Sequence, residues 1–173
     1  WLPPAAALPP EVEEAVRTAR SSDAVILALG IAAPDDVPRR DAEILESETI
    51  DRPHIYLPSM QERLLEAVCS AGKPVVVVLY SGGPLAVPAA DRSAAAVLQA
   101  WYPGEEGGTA IADVLFGDCN PSGRLPVTFY ASMDQLPPFG DYSMADRTYR
   151  YFRGKPLYPF GFGLSYTRFS YRA

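Results

Sequence analysis

The run Lys73-Pro74-Val75-Val76-Val77-Val78-Leu79-Tyr80-Ser81-Gly82 decides the fold. It is continuously apolar and β-branched and does not alternate with polar residues. It therefore predicts a strand buried on both faces, the mark of a parallel sheet covered by helices. Immediately upstream, "SMQERLLEAVCSAG" repeats Met60, Leu64, Leu65 and Val68 at helical spacing, with Ser59 placed to cap the helix and Gly72 to stop it. Further back, Val12, Ala15, Val16 and Ala19 mark one face of a helix over Glu11 to Arg20, which feeds a strand over Ala24 to Leu29.

Downstream the pattern repeats, with a strand near Ala96 to Trp101 and a helix from about Glu106 to Phe116 that Gly117 ends. "GRLPVTFY" reads as a last short strand. Helices alternating with buried strands give an α/β class, a mainly parallel sheet flanked by helices in an α/β sandwich. The expected division is a partial sandwich over residues 1–130 and an irregular, aromatic-rich tail over 131–173. Prolines and aromatics crowd that tail without a period, so buried Tyr and Phe are expected to pin it to the domain.

At 173 residues the chain is long enough for one domain that buries about two-thirds of its unfolded surface. A hydrophobic share of 48% against 21% charged residues is globular composition. The net charge of -6, with Lys and Arg scattered, argues against nucleic acid as a partner and favours a neutral or mildly polar ligand. Cys69 and Cys119 are too few for a disulfide framework and have no CxxC spacing, so two isolated buried thiols are expected. The single histidine, His54, supports neither a His-rich metal site nor a Ser-His-Asp triad. No apolar run is long enough for a membrane span, and the opening lacks the layout of a signal peptide.

In an open parallel sheet, ligands bind beyond the carboxyl ends of the strands. The first strand leads into a proline-rich, acidic stretch from Ile31 to Pro58 with no helical or strand period, read as a long loop. The second leads into Ser81-Gly82-Gly83-Pro84, which lacks the lysine and serine of a phosphate loop. The third leads into "WYPGEEGG", where Glu105 and Glu106 complement a helix dipole. Trp101 and Tyr102 are read as core or rim and left outside the site. Loop carboxylates on this face suit general acid/base work, because a glutamate with a raised pKa can protonate a leaving oxygen. Glycoside cleavage most directly needs such a group, with a second carboxylate as nucleophile about 5–5.5 Å away in retaining enzymes.

"KPVVVVLYSGGPLAV", "AVLQAWYPGEEGGTAIADVLFGDCNPSGRLPVTFY", "DQLPPFGDYSM" and "RTYRYFRGKPLYPFGFGLSYTRF" resemble consecutive blocks of glycoside hydrolase family 3, the β-glucosidase and β-xylosidase family. The likeness runs from about Asp23 to Phe169, and "LESETIDR" resembles the family's acidic loop before an Asp-Arg pair. The resemblance implies that Glu48, three residues before Asp51, is the general acid/base, with Glu46 the alternative. Asp51 and Arg52 are then expected either to shape the loop as an ion pair or to hold Glu48 toward the sugar. Ser47 stands where many relatives have a small glycine.

In the family a TIM barrel supplies the nucleophilic aspartate and most contacts to the tightest sugar subsite. The sandwich follows and lends its acidic loop, and a fibronectin-III-like domain often comes next. The expectation is therefore part of a retaining, exo-acting β-xylosidase or β-glucosidase, needing no cofactor. Its partners would be a β-glycoside substrate and a barrel on the same protein or a companion chain. The isolated chain is expected to be inactive, and secretion or a periplasmic location is favoured. A rival reading is a non-catalytic carbohydrate-binding or assembly module with the same fold. A flavodoxin-like nucleotide binder rests only on the alternation of helix and strand.

Overall fold

The computed structural model of this protein describes residues 7–31, 52–170 and 172. They fall into two compact units. Of the described residues, the first comprises 7–31, 52, 57–80 and 87–99, and the second 53–56, 81–86, 100–170 and 172.

The first unit carries the sheet. Helix α1 (Pro10–Ser21) starts with proline at its first position, where the missing N–H costs nothing, and has Glu11 and Glu13 in its first turn and Arg20 in its last. Its buried residues, Val12, Val16 and Ala19, are three of the four that the helical period selects. Strand β1 (Val25–Gly30) pairs in parallel with β2 (Val75–Tyr80), in register from Val25 opposite Val75 to Gly30 opposite Tyr80. Strand β3 (Ala96–Gln99) pairs in parallel on the other side of β2, from Val76 opposite Ala96 to Leu79 opposite Gln99. Helix α2 (Ser59–Cys69) links β1 to β2, and α3 (Pro88–Ser93) links β2 to β3. Pro58 takes the N-cap position of α2, so Ser59, expected as the cap, is its first helical residue. Gly72 sits at φ +79 in the turn that follows.

The central strand is buried as its sequence predicts: Val75, Val77, Val78 and Leu79 are all enclosed. Its neighbours are not covered on both faces. Leu29 is buried, but Ile26 is 56% exposed and Ala28 and Ala96 are exposed beside it. The strand order follows the chain order, and right-handed crossovers that step in one direction put their helices on a single face. That explains why the odd-numbered face of β1 and β2 is the well-covered one.

The second unit is mostly irregular. It contains α4 (Gly107–Phe116), closed by Gly117 in the left-handed conformation at φ +88, a 3-10 turn at Met133–Gln135, and the short α5 (Thr148–Tyr151). "GRLPVTFY" does not form the expected strand: Phe129 makes one isolated antiparallel bridge to Tyr158. Pro126 removes a donor that a ladder would need. Backbone bonds from Leu125 N to Phe162 O (2.8 Å) and from Gly161 N to Leu125 O (2.8 Å) extend this contact. Asn120 accepts from the Tyr166 amide at 2.7 Å and donates to Thr167 Oγ1 at 2.8 Å. Phe129, almost fully enclosed, is the anchor, with Trp101 edge-on at 6.1 Å and Tyr158 at 6.2 Å. The tail is thus pinned chiefly by hydrogen bonds, and Tyr149, Tyr151, Phe160, Phe162, Tyr166 and Phe169 are exposed, contrary to the expectation of burial.

Candidate active site

Strand β1 ends where the acidic stretch of the sequence begins. Gly30 ends β1, and a Cβ built there would lie 2.0 Å from Tyr80 O, so only glycine fits against the neighbouring strand. The Ile31 amide then donates to that same Tyr80 oxygen at 2.8 Å, and the Ile31 side chain is buried. From α2, the Gln61 side chain grips Gly30 by both its N–H and its C=O. Its Oε1 accepts from Gly30 N at 2.8 Å and its Nε2 donates to Gly30 O at 2.9 Å. A primary amide is the one side-chain group that completes both halves of such a backbone pairing. Neither Gly30 nor Gln61 stood out in the sequence, although a glycine closing an apolar strand was a usable signal.

Glu46, Glu48 and Asp51 lie outside the described residues. Arg52 is described, half-buried and engaged in an interaction. In the second unit, the residues just after it are also held. Ile55 O accepts from Ala86 N at 2.8 Å, and the Tyr56 hydroxyl accepts from Met133 N at 3.0 Å. His54 uses Nδ1 to accept the Tyr56 amide at 3.3 Å, with the two rings 5.7 Å apart, so the one histidine has a structural task.

The other candidate chemistries resolve as structure. The Ser81 hydroxyl is buried and donates to Gly83 O at 2.7 Å, turned inward and not toward an anion. Trp101 adopts φ +58 and packs on Phe129, while Tyr102 is exposed. Both cysteines are free, and neither is the buried thiol expected: Cys69 is half-buried, with desolvation pushing its thiol up and disfavouring the thiolate, and Cys119 is exposed. Among the described residues, no group of three or more His, Cys, Asp and Glu could hold a metal, and no helix is long and apolar enough to cross a membrane. A cleft of about 220 Å³ has Glu66, Cys69 and Arg92 on its walls. It sits by the last turns of α2 and by α3, toward the amino ends of the strands, whereas ligands of open parallel sheets bind beyond the carboxyl ends.

A parallel sheet with helical crossovers, whose edge strand ends at Gly30, defines an α/β domain. The chain belongs to a known family of such domains, the glycosyl hydrolase family 3 C-terminal domain, which matches residues 6–166. It is 46% identical over 159 residues to a xylan 1,4-beta-xylosidase of Xylanibacter ruminicola, covering 92% of this chain and 18% of that protein. It is 40% identical over 171 residues to a periplasmic beta-glucosidase of Salmonella typhimurium, covering 92% of this chain and 21% of that one. Its fold matches the crystal structure of a beta-glucosidase from Kluyveromyces marxianus with a TM-score of 0.77 and 33% identity, over 91% of this chain and 19% of that chain. The chain therefore spans about a fifth of the length of the relatives it matches.

Proposed function

We propose that this chain supplies the general acid/base segment of a retaining, exo-acting β-glycosidase that removes terminal β-D-xylosyl or β-D-glucosyl residues. What supports the reading is the place of Glu46 to Arg52 in the sequence, in the acidic stretch that follows β1, together with the hold of Gln61 and Tyr80 on the last described residues before it, Gly30 and Ile31. The xylosidase and glucosidase relatives support the substrate class.

In this mechanism Glu48 protonates the departing glycosidic oxygen as the bond to the sugar breaks. An aspartate on a TIM-barrel domain, outside these residues, attacks the anomeric carbon and forms a glycosyl ester. Glu48, now a carboxylate, takes a proton from water, which displaces the aspartate and regenerates both groups. Asp51 and Arg52 hold Glu48 toward the sugar, and Glu46 is the alternative acid/base. The tail over 131–173 leads in this reading toward a fibronectin-III-like domain.

The test is hydrolysis of nitrophenyl β-glucoside and β-xyloside by the full-length protein beside Glu48→Ala and Glu46→Ala. Loss of a general acid/base typically costs about 10²–10⁴-fold. Glu48→Ala should lose that much on poor leaving groups, and azide should restore turnover on the activated substrate. Arg52→Ala should lower turnover with the fold intact. If neither glutamate variant loses activity, the segment is structural and the proposal fails.

A further inference from the structure

Gly30 is the residue least able to hold a direction by itself, because glycine loses more conformational freedom on ordering than any other residue. No side chain can replace it, since a Cβ there would run into Tyr80 O. The peptide that follows it is nevertheless held at both polar ends: the Gly30 carbonyl accepts from Gln61 Nε2 at 2.9 Å, and the Ile31 amide of the same plane donates to Tyr80 O at 2.8 Å. The peptide before it is held too, by the bond from Gly30 N to Gln61 Oε1 at 2.8 Å. Two successive peptide planes around one glycine therefore cannot turn without breaking a hydrogen bond.

Gln61 stands in the first turn of α2, half-buried, and fixing so long a polar side chain costs rotamer freedom. Satisfying a strand end needs less, because water or a short hydroxyl can pair a lone N–H or C=O. What the primary amide adds is orientation: its donor and acceptor lie in one plane and match the C=O and N–H of a single residue. Gly30 and Ile31 are the last described residues before the acidic stretch, so their hold sets where and in which direction the chain leaves the sheet. Direction matters to an acid. A general acid acts only within hydrogen-bond reach of the oxygen it protonates, and a misplacement of about 1 Å can cost about 10²-fold.

We propose that Gln61 is a positioning residue for proton donation to the leaving group, acting through Gly30 and Ile31. This rests on the reading that Glu48, or Glu46 in its place, is the general acid/base. The role carries a selective signature: without the amide, bond cleavage that needs a proton should suffer more than cleavage that does not. A plain loss of folded protein would lower both alike.

The test compares kcat/KM of the full-length protein with that of Gln61→Leu and Gln61→Glu on phenyl and dinitrophenyl β-glucosides and β-xylosides. Phenol must be protonated as it leaves, whereas dinitrophenolate departs without help. Leucine keeps most of the bulk and removes both bonds. Glutamate keeps both only while protonated, when one oxygen accepts from Gly30 N and the hydroxyl donates to Gly30 O. Gln61→Leu should lose at least about 10-fold more on the phenyl than on the dinitrophenyl glycoside, a part of the about 10²–10⁴-fold that a general acid supplies. Gln61→Glu should show the same selective loss at neutral pH and recover toward wild type, compared at each pH, as pH falls; it also keeps the test open if Gln61→Leu does not fold. Equal losses on both substrates, no loss, or a Gln61→Glu deficit that ignores pH overturns the positioning role. Glu48→Ala and Glu46→Ala, run beside these, separate the two claims. A selective loss in a glutamate variant with none in the Gln61 variants sinks the positioning role alone, and no selective loss in either glutamate variant sinks the acid/base reading on which it rests.

Discussion

The two units of this chain are held together by different means. In the first, repetition dominates: apolar side chains recur along helices and strands, and Val12, Leu65, Val77 and Leu79 vanish from solvent. In the second, single polar side chains tie one part of the chain to another, near or far in sequence. Asn120 spans 46 and 47 residues to Tyr166 and Thr167, Arg147 gathers three carbonyls, and the Tyr130 hydroxyl receives Thr148. A unit built by repetition should lose stability in proportion to the apolar volume removed, and one built by individual bonds should lose it in discrete steps.

The largest effect should come from Leu79→Ala, which empties a fully enclosed position and is expected to cost about 2–5 kcal/mol. Ile26→Ala in the neighbouring strand, more than half exposed, should stay within about 1 kcal/mol. Urea unfolding of the two variants measures the contrast directly, and equal losses would break it. In the full-length protein, a larger loss for Ile26→Ala would show that something covers this face. Next comes Gly30→Ala, whose methyl meets Tyr80 O and must push two strands apart, at about 1–3 kcal/mol. A wild-type midpoint would mean that β1 and β2 can part without cost.

Asn120→Ala should cost about 1 kcal/mol, since its side chain is exposed and water replaces part of what is removed. Hydrogen exchange at the Tyr166 amide should accelerate in this variant, and unchanged protection would remove Asn120 from its role. The smallest effect is confined to the loop around Arg147. Hydrogen bonds from the backbone and hydroxyl of Ser143 depress the folded-state pKa of Asp141, so its contribution is present above the ordinary value of 3.8 and is lost as pH falls below that toward the folded-state value. The Ser143 amide donates to that carboxyl at 2.8 Å, so an NMR titration should show the two moving together in that acid range. A Ser143 signal that ignores the titration would rule the hydrogen bond out.

The same contrast governs what could be read from the sequence. The strand of four valines and the helices over 10–21, 59–69 and 107–116 were legible within a residue or two, because burial imposes a period. Helix α3 escaped notice, since six residues such as Pro-Ala-Ala-Asp-Arg-Ser are too few to show an apolar stripe. "GRLPVTFY" had the composition of a strand but found a single bridge, its one proline, Pro126, having removed a donor. Gln61, Asn120 and Arg147 were illegible because a side chain bonding to distant backbone leaves no repeat. The acidic stretch was singled out by its position after a strand and by its likeness to a family motif, whereas Gly30 and Gln61, which close β1 just before it, were not.

The grip of Gln61 on Gly30 also bears on how such a domain could change over time. Because the amide completes the last pairing of β1 from outside the sheet, strand order ends at a fixed point whatever follows. The entropy of closing a connection between two fixed points grows slowly with its length, by about 0.6 kcal/mol for each doubling. Insertions and deletions beyond Ile31 are thereby uncoupled from the valine core, so natural variation or an engineer could exchange the acidic cargo while the socket stays the same.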